Sequence, residues 1–271
     1  MSELRRGGVV MRCQVRGEGL PFLFLHGLGG SSAQGLGLLD PLEGVCQILP
    51  DLRGHGETEL GPAEELSFSA MAEDVAALWR SRGLGRVVLG GISMGAAVAV
   101  AAALRFPDQV ERLVLLRPAW TDAPMAERVR AWYRALAAAL RKGSPAALEA
   151  DPAFREIRTH EDTAAIFLNA FQDRASLRWP EKYELLPAQR PLRALAELGR
   201  LELPALILAD RGDPIHPFSY AERYAAALPH STLLEVPSKG TEYLAYRTAV
   251  NRALRNFLPD GRRPGGPEEV M

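Results

Sequence analysis

The chain has 271 residues, of which 47% are hydrophobic and 24% are charged, as in an ordinary globular protein. Its 32 basic and 33 acidic residues leave a formal net charge of -1, which gives no basis for nucleic acid or an anionic membrane as a partner. The N-terminus lacks the apolar core of a signal peptide, and the longest apolar run, residues 96–104, is too short to span a bilayer. Two cysteines, Cys13 and Cys46, are too few for a secreted disulfide framework, so we expect reduced thiols and a cytoplasmic protein.

Short apolar runs alternate with longer helical patterns along most of the chain, which favours an α/β protein with a mostly parallel sheet. The runs predicted to be strands are residues 9–15, 21–25, 45–49, 86–90, 112–116, 204–209 and 232–236. Helices are predicted from apolar spacing or alanine content at residues 68–82, 94–106 and 241–258.

One long segment, residues 118–203, breaks this alternation. It contains helical patterns around residues 123–141, 163–175 and 192–200, punctuated by prolines, and no convincing strand. We interpret it as a helical cap inserted into a core formed by residues 1–117 and 204–258, and not as a separate domain. Residues 259–271 have little to bury and are predicted to be a disordered tail.

The strongest motif is Gly-Ile-Ser-Met-Gly at residues 91–95, with Ser93 at its centre. It follows an apolar strand directly and opens a helix, which is the setting that a nucleophile elbow requires. A serine in such a turn has a strained backbone, so its glycine neighbours must lack bulk, and its hydroxyl lies near the positive end of the helix. The motif predicts that Ser93 is a nucleophile. The alternative is a glycine-rich turn that holds an incidental serine.

A second glycine-rich segment, His-Gly-Leu-Gly-Gly at residues 26–30, closes the strand at residues 21–25. The tetrahedral intermediate of acyl transfer needs two backbone N–H donors. We expect Met94, directly after the serine, to provide one and Leu28 to provide the other. Consecutive glycines allow this loop to approach a substrate closely. The alternative is a simple turn at the end of a strand.

These segments together resemble the α/β-hydrolase superfamily over nearly the whole chain, from about residue 8 to residue 258. The matching motifs are His26-Gly27, Asp-Leu-Arg-Gly-His-Gly at residues 51–56, the elbow at 91–95, and Asp-Arg-Gly-Asp-Pro-Ile-His-Pro at 210–217. The resemblance implies a mostly parallel eight-stranded sheet and esterase-like activity. It also implies a helical cap after the sixth strand, where residues 118–203 fall, and a scaffolding role for Arg53 and His55.

The resemblance implies that Asp213 is the acid of a catalytic triad, with Asp210 as a weaker rival nearer the strand. The general base departs from the family pattern. The family's histidine belongs in the loop after the last strand, but Thr241 stands there and no histidine follows His230. This base is needed because it takes the proton of the serine and then protonates the leaving group.

Three hypotheses for the base remain open. In the first, His216 is a displaced base, since it follows Asp213 closely on a loop at the carboxyl edge of the sheet. In the second, Lys239 acts as the base, with a pKa lowered by desolvation. In the third, the protein is a non-hydrolytic binding protein or a tailoring enzyme that uses the pocket differently. The fold does not decide among them, but the intact elbow and glycine-rich loop favour the hydrolase.

Two further residues, Arg117 and Trp120, are candidates for binding a substrate because they follow a strand at the same rim. Arg117 is suited to pairing with an anionic substrate group, and its alternative is a salt bridge to a cap carboxylate such as Asp122. Trp120 is suited to an apolar pocket, or to holding helices together. No metal cluster, phosphate loop or dinucleotide motif is present in the sequence, so we expect no metal or cofactor. The expected partner is a small-molecule ester, lactone or related acyl substrate.

Overall fold

The computed structural model describes residues 2–6 and 9–259, so the predicted tail, apart from Pro259, lies outside the described residues. Its centre is one eight-stranded sheet in the order β1-β2-β4-β3-β5-β6-β7-β8. The strands are β1 (Ser2–Arg6), β2 (Val9–Arg16), β3 (Leu20–Leu25), β4 (Val45–Pro50), β5 (Val87–Ile92), β6 (Val110–Leu116), β7 (Ala205–Ala209) and β8 (Ser231–Glu235). Only β2 pairs in the antiparallel sense, with β1 and with β4. The expected fold class, a mostly parallel eight-stranded sheet, is confirmed.

The helices pack on both faces of this sheet. Outside the segment between β6 and β7, the α-helices are α1 (Ser32–Leu38), α2 (Phe68–Ser81), α3 (Met94–Arg105), α10 (Phe218–Ala227) and α11 (Tyr243–Phe257). The side chains of alternate residues in β3 point to opposite faces of the sheet. Leu23 and Leu25 join the core that contains α2 and α3, whereas Phe22 and Phe24 join the core that contains α11.

The chain reverses direction across the sheet at β3. From β3 it moves outward to β4, then crosses back to β5 on the other side, so that Leu25 lies beside Gly91. At such a switch point the loops after the two central strands diverge and leave a crevice at the carboxyl edge, where α/β proteins bind ligands. The loops that hold residues 26–30 and Ser93 both start at this edge.

The segment between β6 and β7 is helical. Its α-helices are α4 (Glu127–Arg141), α5 (Pro145–Glu149), α6 (Pro152–Ile157), α7 (Glu161–Asn169), α8 (Arg174–Arg178) and α9 (Lys182–Leu185). Residues 117–204 are all described and contain no strand. The helix predicted around residues 163–175 is divided, because Asp173 accepts a hydrogen bond from the Ser176 N–H and begins a new helix. The helix predicted around 192–200 is the 3₁₀ turn Leu195–Arg200.

Within residues 2–6 and 9–259, no helix combines the length and the apolar character that crossing a bilayer requires.

Candidate active site

The predicted nucleophile, Ser93, lies in a sharp turn between β5 and α3. Its backbone angles, φ 57° and ψ -113°, lie in a region that residues other than glycine rarely adopt. The Ser93 N–H donates to Leu116 O at 2.9 Å. A Cβ at Gly91 would lie 2.4 Å from the Gly95 carbonyl carbon, and a Cβ at Gly95 would lie 2.1 Å from Leu25 O. Neither position therefore has room for a side chain, and the strained turn depends on both glycines.

His216 is the titratable side chain that the structure brings to this serine. Its Nε2 lies 2.8 Å from Ser93 Oγ, which is hydrogen-bonding distance. The histidine lies on the loop between β7 and α10, and its side chain is 11% exposed. Of the two residues considered as a displaced base, His216 contacts the hydroxyl. No described hydrogen bond joins Lys239 to Ser93.

The predicted acid, Asp213, lies on the same loop as His216. Its Oδ2 is 3.0 Å from His216 Nδ1. Its Oδ1 accepts hydrogen bonds from the backbone N–H groups of Ile215, at 2.8 Å, and His216, at 3.1 Å. Asp213 Oδ2 does not lie along the direction of the His216 Nδ1–H bond. The two atoms are therefore close, but their geometry is not that of a linear hydrogen bond.

Arg117 lies behind the acid and joins it to a second carboxylate. One guanidinium nitrogen, Nη2, donates to Asp213, and Nε donates to Asp210 Oδ1 at 2.7 Å. The other oxygen of Asp210 accepts a hydrogen bond from the Lys239 backbone N–H at 2.9 Å. A buried network therefore runs from the loop after β8, through Asp210 and Arg117, to the pair Asp213–His216.

This placement bears on the predicted substrate role of Arg117. The predicted role required the Arg117 guanidinium to pair with an anionic substrate group. In the structure it is already paired with the carboxylates of Asp210 and Asp213. The alternative partner, Asp122, is instead paired with Arg223 at 2.8 Å. Two neighbouring strands bring Arg117 and its partners together, because the register pairs the last residues of β6 with those of β7.

The charges around the imidazole favour its neutral form. Burial lowers the pKa of His216 and so does Arg117, and together they outweigh the opposing effect of Asp213. Burial alone raises the pKa of Asp213, but His216 and Arg117 hold that pKa well below its usual range. At neutral pH the site therefore combines an ionised carboxylate with a neutral imidazole whose Nε2 faces a hydroxyl, which is the arrangement that a general base needs.

The predicted oxyanion loop runs beside the serine. The Gly30 N–H donates to Gly27 O at 2.9 Å and closes a turn, and a Cβ at Gly27 would lie 3.4 Å from Ser93 Cβ. No described residue accepts a hydrogen bond from the N–H of Leu28 or of Met94. Met94 follows the serine and Leu28 follows Gly27, so the assignment of these two N–H groups as oxyanion donors remains a prediction.

Buried histidines hold this loop in place. The Leu52 N–H donates to His26 Nε2 at 2.9 Å, so the imidazole proton is on Nδ1, which donates to Gly27 O at 2.8 Å. Burial lowers the pKa of His26 to about 4, which keeps the ring neutral. His55 packs against His26 with ring centroids 4.9 Å apart, and its Nδ1 donates to Arg53 O at 2.7 Å. These contacts fit the scaffolding role expected for Arg53 and His55.

Two cavities flank the site. A cavity of about 180 Å³ lies between the loop at residues 26–30 and the helical segment between β6 and β7, and it is lined by Leu28, Gly29, Tyr133, Phe167, Asp173 and Tyr183 among others. A larger one, of about 500 Å³, borders Arg117, Asp213, Lys239 and Thr241. Burial lowers the pKa of Lys239, and Arg117 lowers it further.

The second predicted substrate residue, Trp120, lies away from both cavities. It is 1% exposed and meets the Phe68 ring edge to face, with centroids 5.2 Å apart. Its contacts are those of the alternative interpretation, in which the tryptophan holds the protein core together.

The chain belongs to the α/β-hydrolase fold family, whose model matches residues 21–242. It is 30% identical over 258 residues to a putative carbamate hydrolase RutD from Variovorax paradoxus, and the match covers 92% of this chain and 96% of the relative. A solved thermophilic esterase from Thermogutta terrifontis is 26% identical, with a TM-score of 0.69 and coverage of 92% and 94%. The enol-lactonase from Burkholderia xenovorans has the same fold, with 20% identity, a TM-score of 0.74 and coverage of 94% and 99%. These comparisons support a hydrolase.

Proposed function

We propose that this protein hydrolyses a small-molecule ester, lactone or related acyl compound through an acyl-enzyme on Ser93. The observation that carries this proposal is the 2.8 Å contact between His216 Nε2 and Ser93 Oγ. In the proposed chemistry His216 is the base, and it lies on the same loop as Asp213. The loop after the last strand, where the family's histidine belongs, has no histidine in this chain. The substrate class is supported by the relatives named as a putative carbamate hydrolase and an esterase, because both names denote hydrolysis of a carbonyl compound.

In the first half-reaction, neutral His216 takes the proton of the Ser93 hydroxyl while the serine oxygen attacks the substrate carbonyl carbon. The carbonyl oxygen becomes an oxyanion that the N–H groups of Leu28 and Met94 stabilise. The imidazolium then gives its proton to the leaving group, and the tetrahedral intermediate collapses to an ester on Ser93. Asp213 stays ionised and stabilises the imidazolium.

In the second half-reaction, water takes the place of the leaving group. His216 removes one proton from this water as its oxygen attacks the acyl carbon, and a second oxyanion forms in the same position. Collapse of this intermediate breaks the bond to Ser93 Oγ, which regains the proton from His216. The products are a carboxylic acid, or a carbamic acid in the case of a carbamate, and the unchanged enzyme.

The proposal is tested by intact mass after exposure to a fluorophosphonate, which labels only an activated serine. We expect one adduct on the wild type, none on Ser93→Ala, and a rate lower by about 10²–10⁴ on His216→Ala, the range typical of a general base. His230→Ala is the matched control, because His230 is exposed and pairs with Glu202.

The other outcomes separate the remaining hypotheses. If His216→Ala is labelled as fast as the wild type while Lys239→Met is not, Lys239 is the base. If the wild type forms no adduct even at high reagent excess, the serine is not activated, and the non-hydrolytic binding protein becomes the leading hypothesis.

A further inference from the structure

We propose that the 180 Å³ cavity beside the oxyanion loop binds an ammonium group, so that the preferred substrates of the hydrolase carry a positive charge. This inference rests on the proposed function and specifies its substrate class. The cavity lies directly beside Leu28 and Gly29, where one side of a substrate bound at Ser93 would reach. It is smaller than the pockets that hold whole drug-sized ligands, so it accommodates a compact group and not a long chain.

The lining of this cavity is negative and aromatic. Asp173 is the one charged residue among the described residues that border it, and Tyr133, Phe167 and Tyr183 contribute aromatic rings. The ring of Tyr133 stacks on Phe167 and Tyr183, with centroids 5.1 Å and 5.9 Å away. The stacked rings form an apolar wall, and the Asp173 carboxylate is the group in the lining that attracts a cation.

The direction of the local hydrogen bonds also favours a cation. Ser176 Oγ lies 2.6 Å from Asp173 Oδ2 and 2.6 Å from Tyr183 Oη. Because an ionised carboxylate only accepts, Ser176 donates to Asp173 and accepts the proton of Tyr183. The Tyr183 oxygen is left with lone pairs beside Gly29, where a Cβ would lie 2.5 Å from it. It therefore offers an acceptor, and not a donor, to a ligand.

One of the two carboxylate oxygens of Asp173 remains able to accept a hydrogen bond from a ligand. As the N-cap of α8 it accepts hydrogen bonds from the N–H and hydroxyl of Ser176, both through Oδ2. No described residue donates to its Oδ1. The neighbouring cation, Lys182, does not border the cavity: its Nζ donates to Gly54 O at 2.7 Å and lies over the Tyr183 ring, 5.3 Å from the centroid. A carboxylate oxygen is thus available to an ammonium group, whereas the apolar walls lack the six or more oxygen ligands of a hard metal ion.

The test compares choline with its uncharged near-isostere 3,3-dimethylbutan-1-ol by calorimetric titration of the wild-type protein, which requires no catalysis. We expect choline to bind roughly ten-fold more tightly, as a contact between an ammonium group and a partly buried carboxylate provides. Asp173→Asn should reduce this ratio to near one, since asparagine retains the N-cap but not the charge. Asp151→Asn is the matched control, because Asp151 caps α6 in the same way and does not border the cavity.

A second variant, Tyr183→Phe, removes the acceptor oxygen and should also lower the ratio, so the test does not depend on one substitution. Equal binding of the two alcohols to the wild type, or a ratio that Asp173→Asn leaves unchanged, overturns the inference. Hydrolysis of acetylcholine and of 3,3-dimethylbutyl acetate is measured alongside. Cleavage of both esters without a preference for the cation contradicts this inference alone. Choline binding by a wild type that forms no fluorophosphonate adduct on Ser93 contradicts the proposed function alone.

Discussion

Asp213 and His216 are three residues apart in the sequence, and Oδ2 of the first lies 3.0 Å from Nδ1 of the second. The proposed acid and base thus lie on one loop. Their relative orientation depends on the turn in which the Asp213 carboxylate accepts two backbone N–H groups, and on Arg117, which contacts the same carboxylate from behind. The loop after β8 contributes through a backbone group, because the Lys239 N–H donates to Asp210, the second partner of Arg117.

Arg117→Met should strongly destabilise the fold. Arg117 is 5% exposed and pairs with both Asp210 and Asp213, so its loss leaves two carboxylates without their cation. Breaking a buried pair in this way costs about 3–5 kcal/mol, which a urea titration measures. Arg223→Met, which breaks the more exposed pair with Asp122, should cost about 1 kcal/mol or less. Similar losses in the two variants would contradict the prediction.

The pH dependence of kcat/KM should have its acid limb below 6.5, the ordinary pKa of histidine. The active form has neutral His216, and activity falls as the pH drops through its pKa. Burial and Arg117 lower that pKa by more than Asp213 raises it. A profile on any ester that the protein cleaves provides the measurement, with His230→Ala expected to keep the same limb. An acid limb above 6.5 would show that the imidazole is not held neutral in this way.

Gly95→Ala should lose both stability and fluorophosphonate labelling. The added Cβ would lie 2.1 Å from Leu25 O, which belongs to a central strand and cannot move aside. Overpacking of this kind costs about 3 kcal/mol, the upper end of the usual range, and shifts the turn that holds Ser93. Gly85→Ala is the control, because a Cβ there meets nothing within 4 Å. The unfolding temperature and the labelling rate are measured on both variants. A Gly95→Ala variant with the unfolding temperature and labelling rate of the wild type would contradict the prediction.

Lys182 should make stability rise with pH in the alkaline range. Burial lowers its pKa to about 8, from an ordinary 10.5. Between these two values the unfolded chain keeps the proton that the folded protein releases, so the free energy of unfolding increases with pH. Relative to Lys182→Met, the wild type should gain about 3 kcal/mol across this window. Lys142→Met, at an exposed position, should show no such divergence in denaturant titrations; parallel curves for Lys182→Met and the wild type would refute the prediction.

Most of the fold could be predicted because most parallel strands contain an apolar run next to turn residues, as Val87–Ile92 and Ala205–Ala209 do. Strand β1 was not predicted, since Ser-Glu-Leu-Arg-Arg contains a single apolar residue and shows no such pattern. Within the cap, the apolar spacing around residues 163–175 gives no sign of the break at Asp173, where the side chain competes for the backbone N–H groups.

The site was predictable where local sterics require particular residues. The glycines at positions 91 and 95 indicate the elbow because nothing larger fits there. The choice between His216 and Lys239 was not predictable, since it depends on a distance between the loops after β5 and β7. The partners of Arg117 were missed as well, although one signal pointed to them. Consecutive strands are usually neighbours, so a residue directly after β6 is expected to meet those directly after β7.

Because one loop carries both Asp213 and His216, the loop after β8 does not have to supply a base in the proposed chemistry. The stretch at residues 238–242 lacks the family's histidine, and it lines the larger cavity with Lys239 and Thr241. In the proposed chemistry no proton transfer passes through this stretch, because the proposed acid and base both lie within residues 213–216. The side chains of the stretch therefore contact whatever occupies the larger cavity without taking part in the reaction itself.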